Sequence, residues 1–293
     1  MRWPRRRPEL SVIVVTHDMA REAPRTLLSL SPAYQRGVRA DDYEILVVDN
    51  GSREPMAPAA IDAAGPNVRV HSMDEAPPSP AAAVNRGLAL ARGTSVGVVV
   101  DGARIFTPGV VRHALLGLRL DDRPIVATLA WHLGAEHQSR SVARGYDQAV
   151  EDALLESISW PEDGYRLFEI AALAGSNAGG WFGPLAESCG LFMPKALFDE
   201  LGGYDERFDL PGGGLLNLDT FVRACDLPAT RLVVLLGEGS FHQLHGGSSS
   251  NSRIDRGPEF HDQYVRIRGK PFSIPTKDRT YLGTLPPAAA RFV

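Results

Sequence analysis

The sequence has few cysteines, no long apolar segment and no excess of positive charge. Its 293 residues include only two cysteines, Cys189 and Cys225, too few for a disulfide framework and typical of a reducing compartment such as the cytoplasm. No apolar run approaches the roughly 20 residues that a membrane-spanning helix needs. The formal net charge of −4 argues against a surface that coats nucleic acid, although it permits a local basic pocket. We therefore expect a cytoplasmic protein that has no transmembrane segment and binds no nucleic acid.

Short apolar runs alternate with helical patterns in the first part of the chain. The runs lie at residues 10–15, 44–48, 68–71, 96–100 and 125–129. Runs without polar alternation are typical of strands that are covered on both faces, and the run at 68–71 is a shorter candidate. Residues 81–92 and 110–118 carry helix signals, because each follows a Ser-Pro or Thr-Pro pair. Together these patterns predict an α/β fold with helices on both faces of a parallel sheet.

Polar side chains follow three of the predicted strands. They are Thr16, His17 and Asp18 after the first strand, Asp49 and Asn50 after the second, and Asp101 after the fourth. In such sheets ligands bind beyond the carboxyl ends of the strands. A carboxylate there can accept a hydrogen bond from a nucleobase or a ribose, or hold a divalent cation beside a diphosphate. The alternative is that Asp49 and Asp101 only cap turns.

Two later segments also carry reactive side chains. His242 and His245 precede Gly246 and Gly247, and this pattern suits metal ligation, phosphate binding, or simple hydrogen bonding within the fold. Four carboxylates after Gly203 are candidate general bases: Asp205, Glu206, Asp209 and Asp219. A solvated loop is the alternative for the first two, and a helix cap is the alternative for Asp219.

Five segments, in order, resemble the inverting glycosyltransferases of family 2, which have the GT-A fold. They lie at residues 10–18, 47–52, 85–93, 201–208 and 217–223. The resemblance spans about residues 9–247 and implies a Rossmann-like nucleotide-binding sheet merged with an acceptor-binding region. It implies a bacterial-type enzyme that moves a sugar from a nucleotide-diphosphate sugar, of UDP or dTDP type, to an acceptor hydroxyl with inversion. The acceptor is not identified, and a homodimer is left open.

The resemblance also implies roles for individual residues. The residues implied to bind the nucleotide are Thr16, His17, Asp18, Asp49, Asn50, Asn85, Arg86 and Asp101. Arg104, His242 and His245 are implied to bind the diphosphate. Trp181, Glu187 and Ser188 are implied to bind the acceptor, and the alternative for Trp181 is a position in the core. Asp219 is the implied base, and Asp209 is held in reserve.

Two departures from the family pattern affect the metal and the base. The Asp-x-Asp motif falls on residues 101–103, where Ala103 replaces the carboxylate implied to hold the metal. Leu216 and Asn217 replace the Glu-Asp pair of the catalytic segment. Three alternatives follow. Asp101 and His242 hold Mn²⁺ or Mg²⁺ with the diphosphate, cationic side chains such as Arg104 replace the metal, or activity is lost.

The sequence further predicts four regions. They are a flexible N-terminus at residues 1–8, a nucleotide-sugar half at 9–130, an acceptor and catalytic half at 131–247, and a flexible loop with a loosely packed C-terminal extension at 248–293. Two rival functions remain, a non-catalytic nucleotide-sugar-binding protein and a nucleotidyltransferase. The second is disfavoured because no Gly-rich phosphate loop with a lysine follows the first strand.

Overall fold

The computed structural model describes residues 7–246 and 256–293, and a ten-stranded sheet runs through them. The strands are β1 (Leu10–Thr16), β2 (Tyr43–Asp49), β3 (Val68–Ser72), β4 (Ser95–Val99), β5 (Arg104–Phe106), β6 (Pro124–Leu133), β7 (Ala171–Leu173), β8 (Leu191–Pro194), β9 (Arg231–His242) and β10 (Arg279–Gly283). The helices are α1 (Glu22–Leu30), α2 (Pro58–Ala64), α3 (Ala81–Leu90), α4 (Val110–Gly117), α5 (Gln138–Ala143), α6 (Gln148–Ser157), α7 (Lys195–Leu201), α8 (Leu216–Asp226) and α9 (Gly257–Arg268). Short 3-10 helices lie at Gly164–Ile170, Gly175–Asn177, Pro211–Gly213 and Pro287–Phe292.

The sheet is mostly parallel, in the order β10-β9-β6-β8-β4-β1-β2-β3. β1 pairs in parallel with both β2 and β4, so their carboxyl ends lie side by side. β8 runs antiparallel between β4 and β6 and makes the sheet mixed. The short strand β5 pairs antiparallel with the end of β9. The predicted α/β architecture is confirmed, and β8 is the one reversed strand on the main path through the described residues.

Successive residues of β1 point into two different apolar layers. Ile13 packs in the same cluster as Val84 of α3, whereas Val12 packs in the same cluster as Leu27 of α1. Both faces of β1 are therefore buried, which explains its unbroken apolar sequence. Gly87 lets α3 approach the sheet, because a Cβ atom there would lie 2.6 Å from Cγ2 of Ile13.

The C-terminal extension packs more firmly than the sequence predicts. β10 adds to the sheet beside β9, and α9 buries Phe260 and Tyr264. The expectation of loose packing was wrong. The apolar face of α9 is narrow, and the polar residues around it hide the apolar pattern in the sequence. Residues 1–6 of the predicted flexible N-terminus lie outside the described residues. So do Gly247 and residues 248–255, where the sequence predicts a flexible loop. Within the described residues, no helix combines the length and the apolar character that a membrane crossing requires.

Candidate active site

A cleft of about 630 Å³ opens at the carboxyl ends of the central strands. Thr16 at the end of β1, Asn50 after β2 and Asp101 after β4 contribute to its lining. His242 and His245 line it from the end of β9, and Gly212 lines it from the turn before α8. Most of the polar groups that the sequence places at strand ends therefore meet in one cleft.

Asp18 lines the cleft as half of an ion pair. Its carboxylate accepts hydrogen bonds from Nε and Nη2 of Arg53, at 3.0 and 2.8 Å, and from the Arg53 backbone N–H at 2.7 Å. The side-chain hydrogen bond from Arg53 is the main cause that lowers the pKa of Asp18. The backbone of Asp18 has a φ of 51°, a left-handed conformation that Asp tolerates better than most residues. The pair forms a fixed polar rim beside His17.

Asn50, rather than its neighbour Asp49, offers an unsatisfied group at the cleft. Oδ1 of Asp49 accepts hydrogen bonds from the backbone N–H and hydroxyl of Ser52, so Asp49 caps the turn and does not line the cleft. Nδ2 of Asn50 donates to the Pro77 carbonyl at 2.9 Å, which fixes the orientation of the amide. Oδ1 of Asn50 is then buried without a hydrogen-bond donor among the described residues. A buried acceptor of this kind is costly unless a ligand N–H satisfies it.

Asp101, His242 and His245 form a compact cluster in the cleft. Nε2 of His242 lies 2.8 Å from Oδ2 of Asp101, and Nε2 of His245 lies 3.4 Å from Oδ1. The sheet builds this cluster, because β5 begins shortly after Asp101 and its first residue, Arg104, pairs with His242 of β9. Residues that are far apart in the sequence thus meet across one pair of strands.

Gln138 at the start of α5 sets the tautomer of His242. Nε2 of Gln138 donates to the His242 backbone carbonyl at 3.0 Å, so its Oε1 points towards Nδ1 of His242 at 2.5 Å. Nδ1 of His242 therefore carries the proton, and the lone pair of Nε2 points towards Asp101. Burial lowers the pKa of His242 to about 4, so the ring is neutral at pH 7. Burial opposes ionisation of Asp101, but His245 and His242 hold its pKa well below the usual value.

These atoms fit a divalent cation. Nε2 of His242 lies 2.8 Å from Oδ2 of Asp101 and 3.2 Å from Nε2 of His245, so three groups that can ligate a metal converge on one point. The ligand atoms of Asp101, His242 and His245 all lie within 4.8 Å of one another. Carboxylate oxygen and imidazole nitrogen together suit first-row cations such as Mn²⁺. Gln138 occupies the position of the outer hydrogen-bond partner that orients a metal-bound histidine.

Ala103 explains why the cluster includes a second histidine. It is fully buried and packs with Met19 and Ala23. A carboxylate at this position would lie in that apolar contact. His245 supplies the third ligand atom of the cluster instead.

Arg104 adds a buried positive group beside Asp101. Its Nη2 lies 3.9 Å from Oδ2 of Asp101, and its side chain is only 11% exposed. Nη1 is buried without an acceptor among the described residues. Burial opposes the charge, but Cys189, Asp101 and Glu187 raise the pKa of Arg104. A phosphate oxygen is the kind of acceptor that such a group binds well.

Residues 11–136 match the family model of Glycosyl transferase family 2. This match confirms the resemblance to family 2 drawn from the sequence motifs. No curated protein matches the chain.

Solved glycosyltransferases share the fold. The crystal structure of S. aureus TarS 1-349 with UDP-GlcNAc is 15% identical, with a TM-score of 0.57, and the match covers 88% of this chain and 65% of that one. The mannosyltransferase PcManGT from Pyrobaculum calidifontis, in complex with GDP-Man and Mn²⁺, is 17% identical, with a TM-score of 0.54 and coverages of 92% and 66%. The chain therefore spans slightly less than two thirds of either structure. These likenesses show the GT-A fold, and with the family match they support a glycosyltransferase.

Two family 2 motif residues lie outside the cleft. Asn85 exchanges hydrogen bonds with the Tyr204 backbone, at 2.9 and 2.8 Å, and so ties α3 to the turn after α7. Nε of Arg86 contacts the ring nitrogen of His71 at 3.0 Å on the surface. Neither Asn85 nor Arg86 lines the cleft, so their expected contact with the nucleotide remains a prediction.

Two of the three expected acceptor residues are buried. Trp181 is fully buried, donates from Nε1 to the Leu235 carbonyl at 3.0 Å and packs against Trp131. The hydroxyl of Ser188 donates to the carbonyls of Thr128 and Gly190 inside the sheet. Neither side chain reaches an acceptor, so both assignments are corrected, and the alternative core position of Trp181 holds. Glu187 remains partly exposed.

The expected base, Asp219, does not line the cleft. It is fully buried in α8, and both of its oxygens lie 2.6 Å from guanidinium nitrogens of Arg268. A carboxylate held in this way has no free oxygen for a substrate hydroxyl, which corrects the assignment. The reserve residue, Asp209, is exposed and accepts a hydrogen bond from Gln263 at 2.8 Å, and it does not line the cleft.

Proposed function

We propose that the chain transfers a sugar from a nucleoside-diphosphate sugar to an acceptor hydroxyl with inversion. The observation that carries this proposal is the single cleft that joins Thr16 and Asn50 to the cluster of Asp101, His242 and His245. The first pair suits a nucleoside, and the cluster suits the diphosphate and a cation. The comparisons give no support to a nucleotidyltransferase or a non-catalytic binding protein.

The base of the donor is argued from Asn50. Its unsatisfied Oδ1 needs an N–H donor, which uracil and thymine offer at N3 and guanine offers at N1. Cytosine and adenine carry an acceptor at the corresponding ring nitrogen and donate on this edge only from an exocyclic amine. We therefore retain a UDP or dTDP sugar as the donor, with a GDP sugar as the alternative. UDP-GlcNAc in TarS and GDP-Man in PcManGT agree with this chemistry.

The leaving diphosphate needs positive charge. Arg104 offers a buried, unpaired N–H group to a phosphate oxygen. Asp101, His242 and His245 would hold a divalent cation, which when bound would neutralise part of the diphosphate charge. Because Gln138 fixes the tautomer of His242, the ligand nitrogen is already unprotonated at neutral pH.

Inversion follows from a single displacement. The acceptor oxygen forms a bond to the anomeric carbon while the bond to the phosphate oxygen breaks on the opposite face. The proton of the acceptor hydroxyl must pass to a base on the acceptor side of the cleft.

We also retain the division into a nucleotide-sugar half at residues 9–130 and an acceptor half at 131–247. Asp101 and Asn50 come from the first half, and His242 and Gly212 from the second, so the cleft lies between them. The two cysteines are buried and unpaired, which fits a reducing compartment, and we keep the cytoplasm as the proposed location.

The test is a thermal-shift screen of UDP, dTDP, GDP, CDP and ADP, with and without Mn²⁺, since a ligand of the native state raises Tm. We expect UDP, dTDP or GDP to raise Tm, with a larger shift when Mn²⁺ is present, and CDP and ADP to have little effect. Asn50→Leu should remove the discrimination between bases, whereas His261→Leu on the exposed face of α9 should not. Equal shifts from all five nucleotides would contradict the role of Asn50, and no shift from any would contradict the proposed function.

A further inference from the structure

His242 and His245 are held in different ways, although both belong to the cation cluster. His242 is the last residue of β9, and its ring contacts Gln138. Gln243 continues the pairing beyond the strand, since its N–H donates to the Ala103 carbonyl at 2.8 Å. His245 comes two residues later, so its position in the cluster depends on what holds the backbone that leads to it.

Leu244, the residue directly before His245, is held by both of its backbone polar groups. Its N–H donates to Oε2 of Glu151 at 2.7 Å. Its carbonyl accepts a hydrogen bond from Nη1 of Arg21 at 3.4 Å. These two contacts fix the peptide units from which the second imidazole of the cluster projects into the cleft.

Glu151 is a fully buried carboxylate in the first turn of α6. Its Oε1 lies 3.3 Å from Nη1 of Arg21, and its Oε2 also accepts a hydrogen bond from the hydroxyl of Tyr146 at 3.3 Å. The positive end of the α6 dipole favours a negative charge in this turn. Because a charge-assisted hydrogen bond is shorter and stronger than a neutral one, Glu151 holds the Leu244 N–H more firmly than a neutral acceptor would.

Arg21 connects this contact to the nucleotide side of the cleft. It lies directly before α1, and Met19 and Asp18, which line the cleft, come shortly before it in the same loop. Its Nη2 lies 2.5 Å from Oδ1 of Asp152. α6 is therefore joined both to the loop after β1 and, through Glu151, to the segment after β9.

We propose that Glu151 is a positioning residue for the cation, because by holding Leu244 it keeps His245 beside Asp101. This inference rests on the proposed function. Glu151 does not line the cleft, so its effect on the cation has to pass through His245. Removing an outer hydrogen-bond partner of a metal ligand weakens metal binding about 10–100-fold. We expect the lower end of that range, because Glu151 holds the backbone next to the histidine rather than its ring.

Glu44 offers a control with the same chemistry away from the cleft. It is also a buried carboxylate, and it accepts hydrogen bonds from the Arg92 backbone N–H at 2.8 Å, Nε of Arg69 at 2.9 Å and the hydroxyl of Ser11 at 2.6 Å. It lies at the start of β2, whereas the cleft lies at the carboxyl ends of the strands. A loss of buried hydrogen bonds is therefore common to both sites, and a link to His245 is not.

The experiment measures the Kd of Mn²⁺ alone by calorimetry, at a temperature well below the Tm of every variant. Wild type is compared with Glu151→Ala, Glu151→Gln, His245→Ala, the double variant of Glu151→Ala with His245→Ala, and the control Glu44→Ala. Binding of UDP, dTDP and GDP to wild type is measured in parallel. Circular dichroism and urea unfolding show whether each variant folds and how far its stability falls.

We expect Glu151→Ala to weaken Mn²⁺ binding about tenfold, and Glu44→Ala to change it by less than about twofold despite a loss of stability. Glu151→Gln keeps a neutral acceptor for the Leu244 N–H and should lose less affinity than Glu151→Ala. In the His245→Ala background, Glu151→Ala should cause no further loss, because a residue that acts through His245 then has no imidazole to position.

A folded Glu151→Ala variant with the wild-type Kd would overturn the inference, and if that variant does not fold, a folded Glu151→Gln variant with the wild-type Kd would do the same. An equal loss in Glu44→Ala, or the full tenfold loss in the His245→Ala background, would also overturn it, because either result indicates a general loosening of the fold. These outcomes leave the proposed function intact when wild type binds Mn²⁺ and a nucleoside diphosphate. A wild-type chain that binds neither Mn²⁺ nor any of the three nucleotides would refute the proposed function as well.

Discussion

Asp219 is either the general base, as the sequence implies, or a residue whose ion pairs stabilise the fold. The structure supports the second, since both carboxylate oxygens contact Arg268 at 2.6 Å and Arg223 lies 3.6 Å away. Arg268 also contacts Asp205 at 2.7 Å, so one guanidinium ties α9 both to α8 and to the turn after α7. The perturbation that tests this is Asp219→Asn, which keeps the shape and removes the charge.

The expected cost follows from this geometry. Removing one partner of a buried ion pair costs about 3–5 kcal/mol. Arg268 keeps Asp205 and is 18% exposed, so we expect the lower end, about 3 kcal/mol. A domain of this size loses about 2 °C of Tm per kcal/mol, which gives a fall of about 6 °C.

The assay is urea unfolding with Asp121→Asn as the matched control, because Asp121 pairs with Arg231 on the surface at 2.8 Å. That control should lose less than about 1 kcal/mol. Folded Asp219→Asn protein should keep its kcat for donor hydrolysis at a temperature well below its Tm. A variant with wild-type stability and no turnover would refute this reasoning and restore Asp219 as the base.

Three further predictions test the packing, the electrostatics and the cation cluster. Gly87→Ala should destabilise the fold by about 1–3 kcal/mol in urea unfolding because it drives a methyl group into Ile13, whereas Gly175→Ala meets no atom within 4 Å and should change little. A hydrogen bond that His113 donates to Glu238 raises the pKa of His113, so His113 stabilises the fold fully below its usual pKa of about 6.5 and less as pH rises through the folded value. His113→Gln should flatten that difference in unfolding free energy between pH 5.5 and 8.5, and an unchanged slope would contradict it. His242→Ala should abolish the Tm increase caused by Mn²⁺ alone, and retention of that increase would place the cation elsewhere.

The strands were predictable where a single physical rule determined the sequence. β1, β2 and β4 are buried along their whole length, so apolar residues form the middle of each strand, and this is visible without coordinates. β8 is just as buried, but it is short and follows a turn-rich segment, so its pattern resembles a loop. β9 continues through Gly237 and Gly239 to His242, and these glycines interrupt the apolar pattern that would mark its last part as a strand.

The site was predictable at the level of strand ends but not of individual contacts. The rule that ligands bind at the carboxyl ends of parallel strands found Thr16, Asn50 and Asp101. The same rule could not tell Asp49, which bonds to its own turn, from Asn50, which lines the cleft. Gln138 carries no sequence signal, because its role depends on a contact with His242, 104 residues away.

The two departures from the family pattern have the same physical form. At each one, a residue without a carboxylate occupies the position where the family has an acid. A side chain from another element of the fold lies near that position. Ala103 packs into the core, and His245 from the end of β9 completes the cluster with Asp101. Asn217 keeps the backbone position of the lost acid, and its amide holds Glu187 from the segment before β8. Because catalysis depends on where charge and lone pairs lie rather than on which strand supplies them, loss of a motif residue does not by itself imply loss of activity. The test is whether His245→Ala weakens both the Tm increase caused by Mn²⁺ and the turnover of the donor.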